Sequence, residues 1–236
     1  YNIAMERTVV PENFSFRMTD EEYRVLEKIK NSIPVCYLAD HADFALGIVT
    51  GNNKKFLSAE KTQHSEMVLK GTDICKYHIN PAKQYLRFEP EQFQQVAPLE
   101  IYRAPEKLLY RFISNQLVVA YDDRQMLSLN SCNIVIPKIE GMQIKYILAI
   151  LNSSVSQFVY QKEFHSIKVL RAHMEHIPIP RVGKAIQNEI IAMTEPLICG
   201  MGKEAAETCQ KRLDCRIMDL FRLSAEEQWI IRHALH

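Results

Sequence analysis

The sequence predicts an α+β fold, in which a mixed α/β body is followed by a helical C-terminal segment. Runs of β-branched and aromatic residues gather in the earlier part of the chain, whereas helical patterns dominate its last part. This order is typical of α+β proteins. The chain has 236 residues, 47% of them hydrophobic, which suffices for a packed core. No run approaches about 18 uninterrupted apolar residues, so we expect no membrane-spanning helix.

Residues 1–34 are predicted to contain a linker arm and the first helix. Thr19 is followed three residues later by Glu22, which is the pattern of a capping box. Apolar residues then recur at helical spacing and predict a helix over 20–31. The chain begins with Tyr and shows no signal peptide, which indicates processing or excision from a longer protein.

Residues 35–183 are predicted to form the α/β body. Pro105 suits the first position of a helix, so we predict a helix that runs through Phe112. Two further helices are predicted over about 142–151 and from there to about 164. Extended runs predict the strands, which we place at 44–49, 66–69, 85–88, 116–121 and 133–136.

Residues 184–236 are predicted to form the C-terminal helical segment. The two prolines in 177–180 force extended geometry and direct the chain out of the body. Helices are then predicted over 184–199 and 203–222, and a last helix opens with a capping box at Ser224 and runs to the end of the chain. We expect that these helices can dock another subunit.

The charge pattern and the cysteine content limit which partners and which cellular environment the protein can have. The net charge is +1, yet residues 44–88 and 141–184 each carry a net charge of +4. If these two basic stretches meet in space, they suit a polyanion; chance variation in a neutral protein is the alternative. The six cysteines contain no C-x-x-C pair, which is typical of reduced thiols in a cytoplasmic protein.

The common catalytic motifs are missing from the sequence. It contains no glycine-rich nucleotide loop, no nucleophile elbow and no zinc-protease motif. His165, His173 and His176 could gather a metal, but no cysteine pair or carboxylate framework supports this, and surface histidines are the simpler interpretation. We therefore expect no catalytic, cofactor-binding or metal-binding residues in this chain.

A metal-dependent nuclease is the enzymatic alternative. It would use Asp122, Asp123 and Glu140 as metal ligands, since such sites need converging carboxylates. The pair Asp122-Asp123 is equally typical of a turn after a strand.

The strongest binding signal is a strand that runs into a Gly-Asn turn. Thr50, Asn52 and Asn53 offer hydrogen-bond donors, and Lys54 and Lys55 neutralise phosphate. A hairpin turn with two solvated lysines is the structural alternative.

Four segments stand out along the chain: G-I-V-T-G-N-N-K-K-F at 47–56, E-K-L-L-Y-R at 106–111, A-I-L-N-S-S at 149–154 and I-P-I-P at 177–180. In this order and at this spacing they resemble the TaqI-like C-terminal specificity domain. This is the target-recognition domain of adenine-specific DNA methyltransferases, which also occurs in fused restriction-modification enzymes and is similar to the recognition domains of type I specificity subunits. The resemblance covers about residues 35–190.

The resemblance implies double-stranded DNA and an upstream methyltransferase domain as partners. In such enzymes the upstream domain binds S-adenosylmethionine and receives the flipped adenine in an Asn-Pro-Pro-aromatic motif. This chain has no Pro-Pro, so Asn80-Pro81-Ala82 cannot serve. We therefore interpret the chain as a C-terminal fragment of such a methyltransferase or of a fused enzyme that also cleaves DNA. A scaffold similar to a specificity subunit is the alternative.

The resemblance also implies DNA contacts. Lys107 and Arg111 are four residues apart, which would place them on one face of the predicted helix as phosphate contacts. Lys168 and Arg171 are predicted to contact the groove or the backbone. The predicted DNA-binding residues are Thr50, Asn52, Asn53, Lys54, Lys55, Lys107, Arg111, Lys168 and Arg171.

Overall fold

The computed structural model describes residues 18–164 and 166–235. Residues 1–17, which belong to the predicted linker arm, lie outside the described residues, as do His165 and His236. The described helices are α1 (Asp20–Asn31), α2 (Asn53–Phe56), α3 (Leu99–Tyr102), α4 (Ile144–Asn152), α5 (Ser154–Glu163), α6 (Arg171–Glu175), α7 (Lys184–Cys199), α8 (Lys203–Leu220) and α9 (Ala225–Ala234). The described strands are β1 (Val35–Cys36), β2 (Ala42–Ala45), β3 (Leu57–Ser58), β4 (Glu66–Leu69), β5 (Tyr85–Leu86), β6 (Lys107–Arg111), β7 (Val119–Asp122), β8 (Leu127–Ser128), β9 (Cys132–Pro137) and β10 (Ile179–Pro180).

The predicted α+β class is confirmed, and the capped helices begin where the sequence places them. In α1 the Glu22 amide donates to Thr19 Oγ1 at 3.2 Å, while the Thr19 amide donates to Glu22 Oε2 at 3.0 Å. The same reciprocal box opens α9 at Ser224. These local capping contacts satisfy backbone donors that have no partner within the helix.

The main sheet has four antiparallel strands in the order β2-β9-β6-β7. Its central strands, β9 and β6, are buried on both faces. Since side chains alternate along a strand, successive buried residues pack on opposite sides of the sheet. In β6, Leu108 and Tyr110 join a core cluster with the helices, while Leu109 joins a second cluster on the opposite face. The sheet is therefore the middle layer of the body.

A smaller sheet covers the second face of the main sheet. Its strand order is β3-β5-β4-β8, and only the β4–β8 pair within it is parallel. Val68, Leu86 and Leu127 from this sheet pack in the same cluster as Leu109 and Ile134 of the main sheet. This layer supplies the support beneath the Gly-Asn turn.

The helices cover the other face of the main sheet. One cluster contains Leu148 of α4, Phe158 of α5, Ile29 of α1, Ile217 of α8 and Ile231 of α9. It therefore crosses both boundaries that the sequence predicts, after residue 34 and after residue 183. The division into three segments stays a prediction.

The predicted helix over 105–112 is wrong, because residues 107–111 form the central strand β6. Pro105 and the four-residue spacing of Lys107 and Arg111 favour a helix locally. However, the apolar run between them pairs with β7 on one side and β9 on the other. A short continuous apolar run is compatible with a strand buried on both faces, and tertiary pairing decides between the two.

Candidate nucleic-acid interface

Two of the segments that the sequence singled out, around residues 50–55 and 167–171, lie at one end of the main sheet. Ala45 at the end of β2 is opposite Ile134, and Arg111 at the end of β6 is opposite Cys132 at the start of β9. Since neighbouring strands are antiparallel, the residues after β2, after β6 and before β9 emerge at the same end. We call the surface formed there by residues 50–55, 92–95, 113–116 and 167–171 the sheet-end surface.

The second basic stretch reaches this surface through a short β-pairing. Ile113 and Lys168 are bridge partners. The Val169 amide donates to the Phe112 carbonyl at 2.7 Å, and the Ser114 amide donates to the Ile167 carbonyl at 2.9 Å. Lys168 therefore lies beside the segment that follows β6, although the two are distant in sequence.

Residues 92–95 adjoin the Gly-Asn turn. Val49 pairs with Gln95, with reciprocal backbone hydrogen bonds of 2.9 and 3.1 Å. Lys55 Nζ donates to Gln92 Oε1 at 3.3 Å. Gln95 also lines a groove with Arg171 along the free edge of β2. The turn and Arg171 thus border the same segment, and both predicted basic stretches contribute to one end of the sheet.

The Gly-Asn turn has a defined internal structure. Gly51 adopts a φ of 75°, a conformation that glycine tolerates without strain. Asn52 Oδ1 accepts from the Lys55 amide at 3.2 Å and caps α2. Thr50 is only 4% exposed, and its Oγ1 donates to Asn53 Oδ1 at 2.6 Å. The Thr50 hydroxyl therefore holds the turn and is not presented to a ligand.

Lys54 and Lys55 are exposed on α2. The ammonium of Lys55 lies 4.6 Å from the centroid of the Phe56 ring. Asn52 and Asn53 are exposed as well. The turn thus offers two cations and two amides to a partner on the outside of the sheet-end surface.

Lys107 does not lie on this surface. Its side chain and that of Asp122 are both fully buried, and Lys107 Nζ lies 2.6 Å from Asp122 Oδ2. It also donates to the Tyr102 carbonyl at 2.6 Å. Burial lowers the pKa of Lys107, and the neighbouring Asp122 opposes this shift. The ammonium is thus committed to the interior and cannot reach a phosphate.

Arg111 is half-buried and supports the loop over 71–77. Its Nε donates to the Ile74 carbonyl at 2.8 Å. The predicted pairing of Lys107 and Arg111 on one helix face is wrong because they belong to a strand, and our proposed set of DNA contacts leaves both out.

Lys168 and Arg171 are exposed on the sheet-end surface. Lys168 Nζ lies 5.9 Å from the centroid of the Phe112 ring. The guanidinium of Arg171 lies 5.2 Å from the centroid of the Phe44 ring, and its Nε donates to Glu175 Oε1 at 2.7 Å. The hydrogen bond to Glu175 raises the pKa of Arg171. Exposed pairs of this kind contribute little energy, so a phosphate can replace the carboxylate.

The sequence analysis missed several exposed residues of the sheet-end surface. Five are amides, which suit the hydrogen-bonding pattern of adenine, and two are isoleucines. The three glutamines that flank Phe93 in the sequence could have indicated the amide group. The residues are Gln92, Gln94, Gln95, Asn115, Gln116, Ile113 and Ile167.

A sequence profile described as the TaqI-like C-terminal specificity domain matches residues 66–179. Residues 66–179 belong to this family. The chain therefore carries a target-recognition domain of the restriction-modification type. The match is narrower than the predicted resemblance over about 35–190, and the Gly-Asn turn lies before it. No curated protein shows a significant match.

Solved structures resemble this chain at low sequence identity, and the fold is shared with the first of those described here. The type IIL restriction-modification enzyme MmeI in complex with DNA is 11% identical, with a TM-score of 0.56 over 83% of this chain and 35% of that chain. The HsdS subunit from Thermoanaerobacter tengcongensis is 14% identical, with a TM-score of 0.45 over 91% and 50%. The type IIG restriction endonuclease BpuSI is 9% identical, with a TM-score of 0.46 over 86% and 33%. The chain spans between about a third and about a half of these proteins.

The nuclease alternative finds no support in the specificity domain. Asp122 ends β7, where its carboxylate pairs with Lys107 and accepts from the amides of Arg124 at 2.9 Å and Met126 at 3.0 Å. Among residues 18–164 and 166–235, no group of three His, Cys, Asp or Glu lies close enough to hold a metal ion.

The histidines near the sheet-end surface have structural contacts. His173 is buried and stacks on Phe164, with ring centroids 4.4 Å apart. Its Nδ1 accepts from the Leu170 amide at 3.2 Å, and burial lowers the pKa of His173. His176 Nδ1 lies 2.6 Å from the Ala172 carbonyl. The predicted third member, His165, lies outside the described residues.

The remaining predictions concern the cysteines, membrane-spanning helices and a contact with another subunit. All six cysteines are free thiols. Within the described part of the chain, no helix is both long and apolar enough to cross a membrane. An open groove between α7 and α8 is lined by Met193, Pro196 and Met201, within the helices that are predicted to dock another subunit. That contact stays a prediction.

Proposed function

We propose that this chain is the sequence-recognition part of an adenine-specific DNA methyltransferase or of a fused restriction-modification enzyme. It binds duplex DNA and positions the target adenine, while an upstream methyltransferase domain, outside this chain, binds S-adenosylmethionine and performs the transfer in the cytoplasm. Removing a base from the stack costs a few kcal/mol, which contacts to the duplex must offset. The specificity-domain match over residues 66–179 supports this division of labour.

One observation carries the proposal. Two basic stretches that are far apart in sequence meet at the sheet-end surface, where Lys54, Lys55, Lys168 and Arg171 are exposed. Cations placed on phosphates release counterions and supply sequence-independent affinity. The exposed amides beside them can distinguish base edges. The surface therefore combines the two components that specific duplex binding needs.

Salt-dependent binding tests this function. A fluorescently labelled random-sequence duplex is titrated with the chain, and fluorescence anisotropy is followed at several salt concentrations. Because four cations are available, the logarithm of affinity should fall with the logarithm of salt at a slope of about −3 to −4. Absence of binding at low salt, or binding that salt does not weaken, contradicts the proposal.

Charge-matched variants locate the binding face. Lys54→Ala/Lys55→Ala should make the slope less steep by about 2, since two phosphate contacts are lost. Lys203→Ala/Lys211→Ala removes two exposed lysines of α8 and should leave the slope unchanged. Equal effects of the two double variants would place the contacts elsewhere.

A further inference from the structure

The Gln94 side chain is exposed on the sheet-end surface with its amide free. Within residues 18–164 and 166–235, no hydrogen bond reaches its Oε1 or its Nε2. The nearby Gln92 differs, because its Nε2 donates to Glu89 Oε2 at 2.8 Å and its Oε1 accepts from Lys55 Nζ at 3.3 Å. Gln94 therefore keeps both a donor and an acceptor for a ligand.

The position of Gln94 is fixed by its neighbours. On one side, Phe93 is buried in the core cluster that the smaller sheet shares with the main sheet. On the other side, Gln95 exchanges two backbone hydrogen bonds with Val49, at 2.9 and 3.1 Å. A Cβ added to Gly51 would lie 3.4 Å from Gln94 Cβ and 3.6 Å from Gln94 Oε1. The Gln94 side chain therefore lies against the Gly-Asn turn on a preorganised backbone, which lowers the entropy cost of binding.

The amides of the Gly-Asn turn itself already use their oxygens. Asn52 Oδ1 accepts from the Lys55 amide at 3.2 Å, and Asn53 Oδ1 accepts from the Thr50 hydroxyl at 2.6 Å. The groups that stay free on this exposed turn are the two Nδ2 donors and the ammonium of Lys54, which also only donates. The turn therefore presents mainly donors, which suit phosphate oxygens.

Adenine is the base that matches a free side-chain amide. In the major groove it presents N7 as an acceptor and the N6 amino group as a donor, so a glutamine can bind it through two hydrogen bonds. Guanine presents two acceptors there, and cytosine presents a donor. Phosphate contacts fix the position of a protein on the duplex, and neighbouring side chains then reach the base edges. The contact between Gln94 and Gly51 places this amide directly beside the phosphate-binding groups of the turn.

We propose that Gln94 is a specificity-determining residue that reads one adenine in the major groove. Its Nε2 donates to N7 and its Oε1 accepts from the N6 amino group, while Lys54 and Lys55 bind neighbouring phosphates. This adenine stays stacked, since the contact is made in the groove, and it is distinct from the adenine that is extruded for methylation. The inference rests on the proposed function, because it assigns a base to one side chain of the same DNA-binding surface.

The experiment compares adenine with 7-deazaadenine, which carries a C–H group in place of N7 and still pairs with thymine. Duplexes are first enriched from a random pool by binding to the unaltered chain. Each adenine of the enriched duplex is then replaced by 7-deazaadenine, one position at a time, and affinity is measured by fluorescence anisotropy. At the position that Gln94 reads, the unaltered chain should bind about fivefold more weakly, which corresponds to about 1 kcal/mol for one hydrogen bond.

Variants assign this loss of affinity to Gln94. Gln94→Ala should bind the adenine and 7-deazaadenine duplexes equally at that position, because no donor is left for N7. Gln94→Met, which keeps the length of the side chain without the amide, should do the same. Both variants should keep the salt dependence of the unaltered chain, since no charge is removed. Asn188→Ala, which removes an exposed amide of α7, is the control and should keep the full discrimination.

The outcomes separate the inference from the proposed function. If no duplex is enriched or bound, the proposed function fails and the inference fails with it. If a duplex is bound but no adenine position responds to 7-deazaadenine, or if every response persists in Gln94→Ala and Gln94→Met, only the inference is overturned. The melting temperatures of both variants check that the fold is intact, and they should match that of the unaltered chain because Gln94 is exposed.

Discussion

Lys107 Nζ lies 2.6 Å from Asp122 Oδ2, and both side chains are fully buried where β6 pairs with β7. Asp122 also accepts two backbone amides of the following turn. The pair therefore ties the start of β6 to the end of β7 and to the turn. Both residues had been candidates for function from the sequence, and their burial explains why neither is available to DNA or to a metal.

Lys107→Ala should lower the free energy of unfolding by about 3 to 5 kcal/mol, because it leaves a buried carboxylate without its partner. Urea denaturation measures this. Lys107→Met/Asp122→Asn should lose less, since it removes both charges and keeps an amide oxygen that can accept from the turn. Lys54→Ala should stay within about 0.5 kcal/mol as an exposed substitution. A loss for Lys107→Ala no larger than for Lys54→Ala would refute the role of the pair.

Asn152→Leu should lower the free energy of unfolding by about 1 to 3 kcal/mol. Asn152 Oδ1 accepts from the Val119 amide at 3.1 Å and its Nδ2 donates to the Val119 carbonyl at 2.8 Å, so the side chain occupies the free edge of β7. Without it the buried Val119 amide has no acceptor. Denaturation and faster hydrogen exchange at Val119 report the effect.

Asn188→Leu is the matched control for this prediction. Asn188 is exposed on α7, and its Oδ1 accepts a hydrogen bond from the Gln143 side chain at 2.9 Å. Its replacement should change the free energy of unfolding by no more than about 0.5 kcal/mol. If the hydrogen-exchange rate of the Val119 amide is unchanged in Asn152→Leu, another group accepts its hydrogen bond and the prediction is wrong.

Gly47→Ala should lower the free energy of unfolding by about 1 to 3 kcal/mol, which is the usual range for overpacking. A Cβ at this position would lie 2.1 Å from the Leu129 carbonyl oxygen, so the backbone must move. Gly183→Ala has no neighbour within 4 Å and should cost less than about 1 kcal/mol. Thermal denaturation compares the two, and equal losses would mean that the close approach at Gly47 is absent in solution.

Asp214→Asn should remove a decline of stability with rising pH. The half-buried Asp214 carboxylate accepts from the Ser154 amide and hydroxyl, both at 2.9 Å, and burial raises its pKa above the usual value. Between the unfolded and the folded pKa the folded state binds more protons, so this group makes the free energy of unfolding fall as pH rises through that window. The contribution is at most about 1.4 kcal/mol per pH unit.

Urea denaturation at a series of pH values from about 4 to 7 measures the contribution of Asp214 as a difference between the two proteins. The control is Glu204→Gln, which changes an exposed carboxylate of the same helix, α8. A difference between unaltered chain and Asp214→Asn that does not vary with pH would contradict the prediction.

The helices show how far local sequence carries the fold. α1 and α7 have the predicted bounds, because capping residues and apolar periodicity act within a few residues of each other. The strands were found less completely. Segments 66–69 and 132–137 carry strong β patterns, whereas β1 and β10 have two residues each and exist only through their pairing with each other.

The residues of the candidate site also divide into those that local sequence predicts and those that tertiary packing decides. The exposure of Lys54, Lys55, Lys168 and Arg171 agrees with their charge and turn context. The interior position of Lys107 depends on Asp122, fifteen residues further along the chain. Nothing within a few residues of Ile113 distinguishes it from a core isoleucine, since exposure is a property of the packed chain.

By itself the sequence determined the α+β class, the capped helices, the charge distribution and the resemblance to a specificity domain, since each depends on residue type and short spacing. Only the tertiary structure decided that residues 107–111 form a central strand, that Lys107 is internal, and that 50–55 and 167–171 share one end of the sheet. The physical reason is that strand pairing joins residues distant along the chain, and burial follows from that pairing.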